Sequence, residues 1–170
     1  MVDAGDLFGR RSKDEQHQTE FLCQMTGDLG YDGIGLGERD LNYGLGFLQE
    51  MIAKYDLPFT NANVRDAQSN ELILPEYLIV ERNGIKYGLI SVLDPALKII
   101  TMTADEANFT IADPVATLRD LVPRVRKEAQ CIVLLGHLGE NNTEPAIKEV
   151  KGIDINVTGH TYRSLQTERV

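Results

Sequence analysis

The chain has 170 residues, enough for one domain with a substantial core, and its balance of 42% hydrophobic and 25% charged residues argues against disorder. The formal charge of -9 argues against a nucleic-acid polymer as partner, since no basic surplus exists to displace counterions, although a local metal or arginine can still draw a small anion into a cleft. No apolar run approaches the roughly 20 residues that a membrane-spanning helix needs.

Met1 to Ala4 reads as a short core strand with a functional end at Gly5-Asp6, rather than as a signal peptide. A polar loop is expected from Arg10 to Asp14. From Glu15 to Leu29, the residues Phe21, Leu22, Met25 and Leu29 recur at helical spacing, which predicts an amphipathic helix ended by Gly30. Ile34 to Leu36 is the next strand, and it runs through Gly37 into the polar cluster Glu38-Arg39-Asp40. Phe47, Leu48, Met51, Ile52 and Tyr55 form the stripe of a second helix, stopped before Pro58.

Phe59 to Val64 reads as a short strand carrying Asn61 and Asn63. A β-rich run from Glu76 to Val80 reaches Asn83-Gly84, a strong hairpin signal, and Ile85 to Leu93 returns. Asp113-Pro114 starts a helix, with Asp as cap and Pro at the first position, and Val115, Leu118, Val122 and Val125 make its apolar face. Pro123 is expected to kink or break that helix. Cys131 to Leu135 is a continuous apolar strand, Glu144 to Val150 a short helix and Ile153 to Val157 a last strand. Cys23 and Cys131 read as buried free thiols. The order predicts one α/β domain over residues 1–170, with helices covering a largely parallel sheet and one antiparallel insertion.

In such sheets ligands gather at the carboxyl ends of the strands. Four strands here end in a glycine followed by a side chain suited to metal: Asp6, Glu38, His137 and His160. Two carboxylates and two imidazoles suit manganese, iron or zinc better than calcium. Each residue alone has a plainer explanation as turn or cap chemistry; the ordered set of four does not.

Val2-Asp3-Ala4-Gly5-Asp6, Gly37-Glu38-Arg39-Asp40, Gly136-His137 and Gly159-His160-Thr161-Tyr162, in that order, resemble the calcineurin-like metallophosphoesterases. The branch is similar to the 5'-nucleotidases and UDP-sugar hydrolases. Tyr31-Asp32-Gly33, Tyr43-Gly44, Ala62-Asn63-Val64 and the run from Asn83 to Ile90 agree with it. The resemblance implies a four-layer α/β/β/α sandwich and a two-metal centre that aligns a phosphoester for attack by water. By the same resemblance Asp6 bridges the metals, while His137 and His160 serve the second one.

The sequence departs from that pattern in ways that bear on chemistry. The family's Asp-x-His strand would precede this chain, further strands would follow it, and Tyr162 stands where a histidine is expected. The resemblance therefore implies an incomplete sandwich and one divalent-metal site rather than two. Glu38 replaces an asparagine ligand, which a carboxylate oxygen can do. Arg39 replaces a histidine; it can hold phosphate with a planar fork but cannot give up a proton. Arg39, as phosphate contact, and Asp40 are the catalytic candidates. The expected function is hydrolysis of a phosphorylated small molecule such as a nucleotide, in a periplasmic or exported setting by family analogy. The alternative is a non-catalytic phosphate-binding or scaffold domain derived from the same fold.

Overall fold

The structure is a computed structural model that describes residues 1–9, 12–101, 109–139, 142, 146 and 148–161. Its strands are β1 (Val2–Asp3), β2 (Gly33–Gly35), β3 (Phe59–Thr60), β4 (Val64–Asp66), β5 (Leu78–Arg82), β6 (Ile85–Leu93), β7 (Phe109–Ile111), β8 (Cys131–His137) and β9 (Ile155–Thr158). Its described helices are α1 (Lys13–Leu29), α2 (Leu45–Tyr55) and α3 (Pro114–Val125), with a 3-10 turn at Glu38–Leu41. The helix expected from Glu144 falls largely outside the described residues.

Two sheets carry the fold. The first, in the order β1-β2-β3, is wholly parallel. The second, β5-β6-β8-β9, is parallel apart from the β5–β6 hairpin, whose Asn83 and Gly84 both take positive φ as a type I′ turn requires. Strands β4 and β7 form a separate antiparallel pair.

Three apolar clusters define the layers. On one outer face, Cys23 of α1 and Leu48 and Met51 of α2 pack on Ile34 and Phe59 of the first sheet. Between the sheets lie Ala4, Leu89, Val133 and Leu135, and Ser91 Oγ of β6 accepts the Leu36 N–H at 3.2 Å. On the far face, Leu118, Val122 and Val125 of α3 cover Ile90, Val92, Ile132 and Leu134. Helix, sheet, sheet and helix are therefore stacked in that order, which is an α/β fold of the expected layering.

Local chemistry explains most element ends. Ser12 caps α1 by accepting the Glu15 N–H, and Gly30 closes it at φ 64°. Asp113 caps α3 by accepting the Ala116 N–H at 2.7 Å. Three expectations need correction. Pro123 does not break α3: the helix runs through it to Val125, and the missing N–H removes a single bond, to the carbonyl four residues earlier, close to the end of the helix. The predicted strand from Phe59 to Val64 is two strands in different sheets, because the Asn61 side chain accepts the N–H groups of Asn63 and Val64 and turns the chain between them.

The third correction concerns α1. Its regular apolar residues face outward: Phe21 is 60% and Leu29 57% exposed, with Leu22 and Met25 also in solvent. The face against the sheet is Thr19, Cys23 and Thr26. Helical spacing identified the helix but not which side of it the sheet would cover.

Candidate metal centre

The parallel strands β1, β2, β8 and β9 bring their carboxyl ends to one side of the molecule. Asp6, Glu38, His137 and His160 follow or end them. One donor atom from each lies within 4.8 Å of every other. The structure thus brings together all four residues singled out in the sequence.

Three glycines make the approach possible, Gly5 among them, since a Cβ there would lie 2.5 Å from Gly37 N. A Cβ added at Gly37 would lie 2.3 Å from Asp6 Oδ1, and one at Gly159 would lie 2.6 Å from His137 Nδ1. Gly136 has ordinary room, its nearest neighbour being 3.5 Å away, so the glycine there is not required by packing. Asp6 and His160 themselves adopt φ of 65° and 55°, unusual for residues with side chains. Strain of that kind at two of four converging donors is typical of a functional site.

The turn around Asp6 is built on Asp40. This carboxylate is fully buried and accepts backbone N–H groups from Gly37 at 2.8 Å, Phe8 at 2.9 Å and Asp6 at 3.0 Å. It therefore ties the end of β1 to the end of β2. Burial pushes its pKa up to about 7 against the pull of those donors and with the help of the Asp6 charge. Phe8 anchors the same loop from the other side, packing edge-on against Phe47 at 5.7 Å and Phe59 at 6.3 Å. Its burial contributes on the order of 2–3 kcal/mol. Phe8 is a site-supporting residue that the sequence reading missed.

His137 is held most firmly. Its ring is 1% exposed, and Nδ1 donates to the Ala4 carbonyl at 2.7 Å, which fixes the proton there. Nε2 then faces the cluster, 2.9 Å from Glu38 Oε2 and 3.6 Å from Asp6 Oδ2. A buried imidazole with one nitrogen tied to a carbonyl and the other aimed at two carboxylates is what metal ligation asks of histidine. Burial lowers the His137 pKa, but the Glu38 bond and the Asp6 charge outweigh it and leave it raised.

His160 stands with Nδ1 3.5 Å from Glu38 Oε1, its ring 5.3 Å from that of His137. Burial acts to raise the Glu38 pKa, yet the His137 bond, a backbone N–H and the imidazole charges hold it at about 2. Asp6 is raised, first by burial and also by the Glu38 charge. Two carboxylates that crowd each other at neutral pH, with two imidazole nitrogens beside them, make a mixed oxygen and nitrogen set that fits a divalent cation.

Arg39 lies at the rim. Its Nε is 3.5 Å from Asp6 Oδ2 and 4.0 Å from Glu38 Oε1, and 47% of the side chain is exposed. Tyr162 lies outside the described residues. Asp94, which donates its N–H to the His137 carbonyl at 3.1 Å and accepts from Asn142 at 2.6 Å, braces the strand end from behind.

No protein-family model matches the chain. Among curated proteins it is 27% identical over 193 aligned positions to a trifunctional nucleotide phosphoesterase of Bacillus subtilis, covering 95% of this chain and 13% of that protein. It is 28% identical over 191 positions to a 2',3'-cyclic-nucleotide 2'-phosphodiesterase/3'-nucleotidase of Salmonella typhimurium, covering 95% of this chain and 29% of the relative. The chain thus spans less than a third of the length of either relative. Among solved structures, a calcineurin-like phosphoesterase from Bacillus subtilis superposes with a TM-score of 0.75 at 29% identity, over 94% of this chain and 57% of that one. A 5'-nucleotidase precursor from Thermus thermophilus shares the fold with a TM-score of 0.73 at 22% identity, over 94% of this chain and 32% of that one.

Proposed function

From its kinship with the calcineurin-like phosphoesterases and their 5'-nucleotidase branch, we propose that this chain forms the metal-binding core of a phosphoester hydrolase. The observation that carries the reading is the cluster of Asp6, Glu38, His137 and His160, with one donor atom from each within 4.8 Å of the rest. These four would hold one divalent ion, manganese, zinc or iron, rather than two, in a single metallophosphoesterase-like domain over residues 1–170. When bound, such an ion lowers the pKa of water and neutralises charge on a transferring phosphoryl group.

The chain's own residues divide the remaining work. The Ala4 carbonyl accepts the His137 Nδ1–H, so that Nε2 is the ring nitrogen left to face a metal. Asp40 holds the Asp6 loop and the Glu38 turn in register; its oxygens already serve three backbone donors, which favours a positioning role over a catalytic one. The guanidinium of Arg39, half exposed at the rim, offers a planar fork to the non-bridging oxygens of a phosphate. It has no proton to give to a leaving group.

The substrate class is a phosphorylated small molecule such as a nucleotide, in keeping with the nucleotide substrates named for the relatives. Relatives named for snake venom support an exported setting, to be checked by cell fractionation. The test is metal content and turnover together. Purified protein should carry a divalent metal by elemental analysis, and His160→Ala should lower it. After dialysis, manganese should restore hydrolysis of a nucleotide or an aryl phosphate. No turnover across several metals would leave the second reading, a phosphate-binding domain without catalysis, which the rim position of Arg39 favours. That reading expects thermal stabilisation by phosphate in the absence of turnover.

A further inference from the structure

We propose that Arg39 is the resident second cation of the metal centre, and that its guanidinium limits the four-donor cluster to a single divalent ion. The inference rests on the reading of that cluster as a metal site. Arg39 Nε lies 3.5 Å from Asp6 Oδ2 and 4.0 Å from Glu38 Oε1, so it approaches both carboxylates of the cluster. The backbone N–H of the same residue donates to the other oxygen of Asp6 at 2.9 Å. Main chain and side chain of one residue therefore both approach Asp6 from the rim, which sets the positive charge beside its carboxylate.

Charge balance gives this approach its consequence. Two carboxylates set against one guanidinium and one divalent ion leave a single positive charge, enough to attract a phosphate. A second divalent ion would leave three, in a pocket where burial weakens screening. Guanidinium is also weakly hydrated and never deprotonated, so it can stay beside carboxylates at any physiological pH. The plainer reading is a weak rim ion pair with no bearing on metal binding. The two readings part company on ion number and affinity.

Calorimetric titration of manganese into the full chain, alongside Arg39→Gln and Arg39→Lys, decides between them. The unsubstituted chain should bind one ion. Arg39→Gln, which removes a like charge beside the site, should bind its first ion about tenfold more tightly, whereas Arg39→Lys should stay near the original affinity. Arg39→Met serves as a second neutral variant if the glutamine variant does not unfold cooperatively. Equal or weaker binding by the neutral variants, or two ions on the unsubstituted chain, overturns the role of Arg39 and leaves the metal site standing. A second ion bound by the neutral variants supports it, whereas binding by the neutral variants alone overturns it, since the unsubstituted chain then holds no ion. Absence of manganese binding in every protein overturns the metal reading itself, and the inference with it.

Discussion

At the scale of single residues, the site depends on groups whose work is invisible in their own chemistry. Asp40 is the clearest. Asp40→Ala leaves three backbone N–H groups without an acceptor in a buried place, and should cost about 3 kcal/mol in urea unfolding. A loss below about 0.5 kcal/mol would mean that water or another group replaces it. The two cysteines make a second contrast. Burial pushes the Cys23 thiol up to about 12, with help from the charges of Asp40 and Glu20, and its side chain is fully covered. Cys131 is partly exposed and its pKa is raised mainly by burial. Thiol titration of the native protein should therefore label Cys131 first and Cys23 only on unfolding. Simultaneous labelling would contradict the packing of α1.

At the scale of elements, the link between β8 and the start of β9 has a pH signature. Burial acts to raise the Asp154 pKa, but the Ile132 N–H at 2.7 Å and the Arg126 guanidinium hold it below the ordinary carboxylate value. A carboxyl with a lowered folded pKa contributes stability above its unfolded pKa and loses it as pH falls through the folded one. Asp154→Asn should thus destabilise by about 0.5–1 kcal/mol at pH 7, discounted for solvent screening, and by nothing measurable near pH 2. Unfolding midpoints of the two proteins across that range provide the check.

What the sequence disclosed at this scale follows from how local each cause is. The Asn83-Gly84 hairpin and the Asp113-Pro114 helix start were legible because the turn and cap are made by those residues themselves. The four donors were legible because each strand end writes a glycine beside its ligand. The Ala4 carbonyl that sets the His137 tautomer is a backbone group and has no letter of its own. Strand β7 was missed because three residues, Phe109–Ile111, carry too little pattern, and their pairing with β4 is decided in space. The split at Asn61 was missed because alternation cannot reveal that a side chain will take over backbone hydrogen bonds.

At the scale of the whole molecule, a charge of -9 adds general repulsion to the specific crowding at the site. Sodium chloride should raise the melting temperature gradually by screening. Manganese at millimolar concentration should raise it further than sodium chloride of equal ionic strength, since only a held ion is linked to the folded state. Equal shifts would assign the whole effect to screening. Among the described residues no helix is long and apolar enough to cross a membrane.

The outward turn of α1 has one more consequence, for tolerance to mutation. Along this helix the letters that look indispensable, Phe21, Leu22, Met25 and Leu29, face outward and are partly to largely exposed, and the modest ones, Thr19, Cys23 and Thr26, are buried. A saturation library over α1 should therefore give an inverted map. Glutamate or lysine should be accepted at Phe21 and Leu29 with changes within about 0.5 kcal/mol, and rejected at Cys23 and Thr26. On this helix a profile that weights hydrophobic positions most heavily would protect the wrong residues.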